Sequence, residues 1–200
     1  MKIINYCKLV VLVSFIACTQ KDSSEPVRYK VDESASVIEW KGSAPTHFHT
    51  GAFKVSGTLI ADKKGKISGG DFSIPIASIS NFDLQGEEQV ELLKHLKSSD
   101  FFDLVLYPEA AFHITKVEDY KDESAANIMI TGEFTMKGQT HPIRFPAILK
   151  NEQHAISAEG SFILNRTKWG MSKYNDPQGG LYILPGADIK VKISCSKPGV

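Results

Sequence analysis

The strongest constraint in this chain is a two-residue rhythm near its C-terminus. In ADIKVKISC, Ala187, Ile189, Val191, Ile193 and Cys195 fall on one phase, while Asp188, Lys190, Lys192 and Ser194 fall on the other. Strand side chains alternate between two faces, so this segment is a strand with one dry and one wet side. The same parity puts Cys195 on the dry face, as an inert core thiol rather than a reactive one.

Seven further segments have strand-like composition: Val37–Trp40, Ala52–Ala61, Asp71–Ile76, Ala110–Val117, Asn127–Met136, His141–Leu149 and Ala155–Asn165. Turn signals separate them, among them DKKGK (62–66), KDESAAN (121–127), MKGQ (136–139) and KNEQ (150–153). Many short strands joined by hairpins point to an antiparallel barrel or sandwich. One segment breaks the rhythm. In GEEQVELLKHLK (86–97), Val90, Leu93, Leu96 and Lys97 fall near helical spacing, and Glu87 and Glu88 suit a helix start. From Val27 onward there is no linker, repeat or low-complexity tract, so one domain runs to Ser196, with a short tail at 197–200.

The N-terminus reads as a targeting segment. Lys2 and Lys8 accompany the apolar run Leu9–Val13, which leads to Phe15-Ile16-Ala17-Cys18. That pattern describes a secretory signal peptide, too short for a membrane span of about twenty apolar residues. Its end resembles a bacterial lipobox, with Phe15 where leucine is usual. The resemblance implies a signal peptide at 1–17, lipidation of Cys18, a polar tether over 18–26, and a periplasm-facing, lipid-anchored place in the bacterial envelope. Thr19 and Gln20 carry no aspartate after the cysteine, which points to the outer membrane. Cys7 leaves with the signal peptide, so Cys195 stands alone and the domain has no internal disulfide to form. With 23 basic and 23 acidic residues in the whole chain, no basic footprint for nucleic acid exists.

Within the domain, HLKSSDFFDLVLYP (95–108) sets Phe101 and Phe102 side by side between two acids. Strand alternation expects the pair to diverge: either both are core plugs, one under the helix and one between strands, or one enters the core and the other contacts ligand at a lumen wall. Asp100 is expected to accept from nearby backbone N–H groups. Arg166 shares the phase of Phe162 and Leu164, so a cation continues an apolar face. Buried cations need partners: an ion pair with Asp100 or Asp103 is one expectation, and a ligand headgroup at a barrel mouth is the other. Trp169 and Tyr174 are expected as an aromatic rim or as packing. Ile128, Ile130, Phe134 and Met136 share a face in which Gly132 leaves a gap, a sign of a bend or a close approach. Met129, Thr131, Glu133 and Thr135 form the opposite, wet phase.

Five segments in order resemble the YceI-like family of bacterial envelope proteins: YKVDESASVIEWKG (29–42), HTGAFKVSGTL (49–59), HLKSSDFFDLVLYPEAAF (95–112), GEFTMKGQTHPIRFP (132–146) and FILNRTKWGM (162–171). The resemblance implies an all-β fold, an extended antiparallel β-barrel of lipocalin-like shape with one short helical insertion near 87–97. It further implies that the lumen holds a long amphiphile, such as a polyisoprenoid or polyprenyl quinone, without catalysis and without any cofactor other than that lipid. The expected ligand contacts are Phe101, Phe102, Ile128, Ile130, Phe134, Met136, Phe162, Leu164, Arg166 and Trp169.

Two rivals stay open. His47 and His49 form an H-x-H pair able to share an ion, which would suit a metal-binding or enzymatic stress-related envelope protein. His95, His113, His141 and His154 are scattered, and neither a nucleophile elbow nor a glycine-rich phosphate loop occurs. The second rival is an interaction module whose lumen is packed solid with its own side chains.

Overall fold

A computed structural model describes residues 26–62, 64–152 and 155–196. The expected signal peptide (1–17), Cys18, most of the expected tether, His154 and the tail (197–200) lie outside the described residues. The elements are β1 (Val27–Val31), β2 (Val37–Ser43), β3 (Phe48–Phe53), β4 (Ser56–Ala61), β5 (Ile67–Pro75), β6 (Ser80–Asn81), α1 (Gly86–Lys97), β7 (Glu109–Asp119), β8 (Ile128–Met136), β9 (Gln139–Asn151), β10 (Ala155–Asn165) and β11 (Gly186–Ser196). All pairings are antiparallel. The ring β1-β4-β5-β7-β8-β9-β10-β11 closes through Lys30↔Ser196 and Val31↔Cys195. It is an eight-stranded barrel, and closure leaves no free edge along the ring.

Two strands of the wall are broken, which the sequence did not announce. The expected strand over 52–61 is two strands, β3 and β4, separated at Lys54 and Val55, and β2 continues β1 after an interruption at 32–36. At the first break Asp32 folds a local turn, accepting from the Ser34 and Ala35 N–H groups. Ser36 then replaces the missing ladder: its hydroxyl donates to the Ser194 carbonyl and accepts the Ser194 N–H at 2.9 Å. At the second break the Lys54 N–H reaches the Ser78 hydroxyl. Serine side chains therefore satisfy backbone groups that a continuous strand would pair.

Past the breaks β2 and β3 pair with each other and contribute Ile38, Trp40, Gly42 and Phe53 to the cavity wall. β2 stays paired to β11, while the outer edge of β3 is met only by the short β6, at Gly51↔Asn81 and Ala52↔Ser80. Helix α1 sits beside β6, tied by the Gln89 amide to the Asn81 carbonyl. Its range matches the sequence reading, with Glu87 and Glu88 in the first turn and Lys94, His95 and Lys97 in the last, as the helix dipole favours. Leu93 and Leu96 pack on the core, but Val90 faces solvent.

The two ends of the barrel differ. At one end Ala61, Ile156, Cys195, Val31 and Tyr29 are buried together as a plug. Burial pushes the Cys195 thiol up to about 11, as expected of an inert core cysteine. At the other end lie the β2–β3 hairpin, α1, the loop 98–108, the tight turn at Lys137-Gly138 and the long connection 166–185. Lys137 and Gly138 both have positive φ (50° and 69°), which a two-residue hairpin of this hand requires.

Candidate ligand-binding cavity

Between the plug and those connections the barrel encloses a cavity of about 360 Å³, within the range of small-molecule sites. Its wall is almost wholly apolar. A girdle of four phenylalanines crosses the waist: Phe72 stacks on Phe112 at 6.4 Å, Phe112 meets Phe145 at 6.1 Å, and Phe145 stacks on Phe162 at 4.7 Å. Two glycines make room for those rings. A methyl group on Gly132 would stand 2.4 Å from both the Phe112 ring and the His113 carbonyl. One on Gly160 would stand 3.0 Å from the Phe145 ring. The gap read at Gly132 is thus a close approach by another side chain. Met129, on the supposed wet phase of the same strand, is buried instead, opposite Glu118 and Pro146.

Phe101 and Phe102 do not diverge. Both line the cavity, because they lie in a turn and not in a strand, so period two does not govern them. The turn is set by the Phe101 and Asp103 N–H groups bonding to the Ser98 carbonyl, the Phe102 N–H to Leu96, and the left-handed Asp103 (φ 52°). Phe101 is buried, edge-on to His95 and stacked on Tyr174. Phe102 is half-buried and edge-on to Phe53 at 5.4 Å. Lys137 Nζ, from the tight turn of the neighbouring hairpin, donates to the Ser99 and Phe101 carbonyls and holds this loop to the barrel.

Ile130, Phe134, Met136, Phe162 and Leu164 also line the cavity. Ile128 and Trp169 do not. Ile128 is buried in the wall. Trp169 is one of the most buried side chains of the protein, packed on Phe134 and His141 with its indole N–H on the Phe134 carbonyl. It is core, not rim.

Arg166 pairs with neither Asp100 nor Asp103. The residue is 6% exposed, and its guanidinium donates to five backbone carbonyls: Leu184 (3.2 Å), Met171, Lys173 (3.2 Å), Tyr174 (3.4 Å) and Ile183 (2.6 Å). A guanidinium has five N–H donors, so a full set of acceptors leaves none for a ligand. Burial lowers its pKa. Arg166 is a clamp that gathers the loop 171–184 around itself. The opposite side of that loop is latched by Asp100, which does not accept from the nearby backbone as expected. Its carboxylate takes both Lys173 Nζ contacts at 2.7 Å, the Tyr174 hydroxyl at 3.1 Å and His95 Nε2 at 3.3 Å. The Lys173 hydrogen bond is the main reason that the Asp100 pKa is lowered.

His47 and His49 stand at the cavity mouth with rings 5.4 Å apart. His49 Nδ1 is engaged by Asp83 at 2.7 Å. Burial raises the Asp83 pKa, but the Thr50 N–H, His49, the Thr50 hydroxyl and Asn81 outweigh it and hold the group at about 2. Among the described residues no three His, Cys, Asp or Glu side chains are grouped to hold a metal ion.

The sequence reading missed Phe72, Phe112 and Phe145. It also missed Trp40, which lines the cavity while its indole Nε1 is buried with no hydrogen-bond partner. Each phenylalanine lay within a segment read as a strand. The signal that could have singled them out was a glycine on a neighbouring strand.

A closed antiparallel barrel with a deep apolar lumen, open toward one end and plugged at the other, is an architecture compatible with enclosing a hydrophobic molecule. Comparison with known proteins agrees: residues 29–196 match the YceI-like domain, and the chain belongs to that family. It is 34% identical over 130 residues to a UPF0312 protein of Pseudomonas putida, a match spanning 62% of each chain. A UPF0312 protein of Vibrio campbellii is 32% identical over 105 residues, 48% of this chain and 54% of that one. Both alignments thus span less than two thirds of those relatives. Among solved structures, Burkholderia cenocepacia BcnA superposes with a TM-score of 0.67 over 82% of this chain and 98% of its own, at 18% identity. The Campylobacter jejuni YCEI protein gives 0.55 over 72% and 81%, also at 18% identity. At that identity the likeness speaks for the fold alone.

Proposed function

We propose that this protein binds and carries a long-chain amphiphile of the polyisoprenoid or polyprenyl-quinone type in its lumen, without catalysis. The observation that carries the reading is the cavity itself: a phenylalanine-girdled, almost wholly apolar space of about 360 Å³ inside a closed barrel. Burial of apolar chain is worth about 0.8 kcal/mol per CH₂, so such a wall holds a tail by length and needs no charged contact. The wall exterior is wet, with Asp188, Lys190 and Lys192 exposed on β11. That suits a barrel standing in water with its apolar surface turned inward. The residues proposed to touch the ligand are Phe101, Phe102, Ile130, Phe134, Met136, Phe162 and Leu164, joined by the girdle residues Phe72, Phe112 and Phe145.

The place of action in this proposal is the bacterial envelope, with the chain held to the outer membrane by lipid on Cys18. The support is the lipobox-like segment ending at Cys18 and the following Thr19-Gln20. To test the function, residues 19–200, which hold all eleven strands, are purified after expression in a bacterial periplasm and extracted with organic solvent. Mass spectrometry of the extract should find a long-chain lipid in stoichiometric amount. A folded protein that neither retains nor takes up such a lipid would refute the proposal.

A further inference from the structure

The outer surface of the barrel mouth carries a feature that lumen binding alone does not require. The large apolar side chains exposed among the described residues gather at this end. Phe48 tips the β2–β3 hairpin, Val105 and Leu106 lie on the loop after α1, and Leu181 and Leu184 lie on the clamped loop. Val105 is 90% exposed and Leu106 67%. Three others lie off the rim tips: Val90 on α1, and Phe82 and Ile163, which share a groove on the outer wall, Ile163 two residues from the mouth end of β10. The turns at the plugged end are polar, with Lys64, Lys66, Lys121, Asp122 and Glu123 exposed. The two ends of one barrel therefore present very different surfaces.

We propose that this apolar rim is a docking surface for a lipid bilayer, through which the lumen exchanges its amphiphile. Three observations favour a bilayer over another occupant. First, the apolar surface is continuous with the lumen: Leu181 and Leu184 line the cavity and are also exposed outside it. A ligand passing over them avoids exposing its whole tail to water. Second, the exposed residues sit on tips of separate connections around an opening, and do not form one flat patch. A protein partner seated there would seal the mouth, whereas a bilayer both fits such tips and supplies the amphiphile. Third, charges around the rim are mixed, with Lys41 over the Phe48 ring at 4.5 Å, Lys94 and Lys97 against Glu87, Glu88 and Asp103. Docking is therefore by apolar insertion and does not depend on anionic lipid. The first described strand, β1, begins at Val27, paired with Ala61 at the plugged end.

The inference takes its purpose from the lumen reading, but its test does not use a lumen ligand. Residues 19–200 are mixed with phosphatidylcholine vesicles, and with vesicles containing phosphatidylglycerol, and floated on a density gradient. The protein should float with both, and salt should change little. Val105→Ser combined with Leu106→Ser should weaken partitioning by about tenfold or more, while Glu123→Ser at the plugged end should not. Ala158→Phe, placed in the cavity wall, should block uptake of a polyprenyl probe yet still float. Absence of flotation, equal loss in the Glu123 variant, or binding seen only with anionic vesicles at low salt would each overturn the rim. A rim variant that turns a dimer into a monomer, with no flotation of the parent, would overturn it in favour of a second copy of this chain.

Discussion

Lys173 sets its ammonium 2.7 Å from both carboxylate oxygens of Asp100, joining the loop 171–184 to the loop that carries Phe101. Asp100→Asn should loosen this latch. Because the pair is solvent-screened, global stability should change little. Local opening should rise instead, so amide exchange over 172–184 should quicken while the plugged end is unchanged. A uniform change across the barrel would contradict the latch.

The latch also fixes a pH dependence. The folded-state pKa of Asp100 is lowered below the ordinary 3.8, chiefly by Lys173. Its contribution is therefore complete above that value and disappears as pH falls through the folded pKa. Exchange over 172–184 should differ between the parent and Asp100→Asn at neutral pH, and the difference should vanish in acid. A difference that grows on acidification would contradict the assignment.

Arg166 is read as a loop clamp and not as a headgroup donor. Arg166→Ala leaves the Met171, Lys173, Ile183 and Leu184 carbonyls without this donor, while the Tyr174 carbonyl keeps the Ile183 N–H, and Arg166→Lys supplies a point charge in place of a planar fork. Both should destabilise the protein, the alanine variant by about 3–5 kcal/mol in urea denaturation. Unchanged stability together with lost ligand retention would restore the headgroup reading.

Phe101 and Phe102 both face the cavity but differ in burial. Phe101→Ala should cost about 3–5 kcal/mol, and Phe102→Ala clearly less. Both should speed ligand loss, measured by dilution of the loaded protein. If Phe102→Ala leaves retention unaltered, that residue is packing only.

Gly132→Ala places a methyl group where the Phe112 ring lies. Overpacking of this kind costs about 1–3 kcal/mol, and it should also shift Phe112 within the girdle. The check is chemical denaturation of Gly132→Ala beside Gly132→Ala/Phe112→Leu, in which the smaller side chain should recover part of the loss.

Most strands and the helix were legible because period two and period 3.6 act locally, and α1 was read at its true ends, but β1 and the two-residue β6 were not read. The breaks at 32–36 and 54–55 were not. They depend on Ser36 and Ser78 standing in for ladder partners far away in sequence, on Ser194 and Lys54. For the same reason Asp100 was assigned to local backbone: its partner Lys173 lies 73 residues on. Parity misled at Phe101 and Phe102 because it was applied to a turn. It served better for Phe134, Met136, Phe162 and Leu164, which all reach the cavity from strands. Arg166 was rightly read as a buried cation, but carbonyls in an irregular loop leave no pattern that a sequence could display.

The account rests on the lumen being a site for a long amphiphile, and Trp40 offers a direct view of it. Trp40 lines the cavity, whereas Trp169, the other tryptophan, is sealed in the core away from it. Titration with a polyprenyl quinone, which quenches indole emission, should quench the Trp40 component and saturate at about one quinone per chain. The response should vanish in Trp40→Phe and be blocked in Ala158→Phe. Quenching that never saturates, or that survives in both folded variants, would contradict the lumen as the binding site.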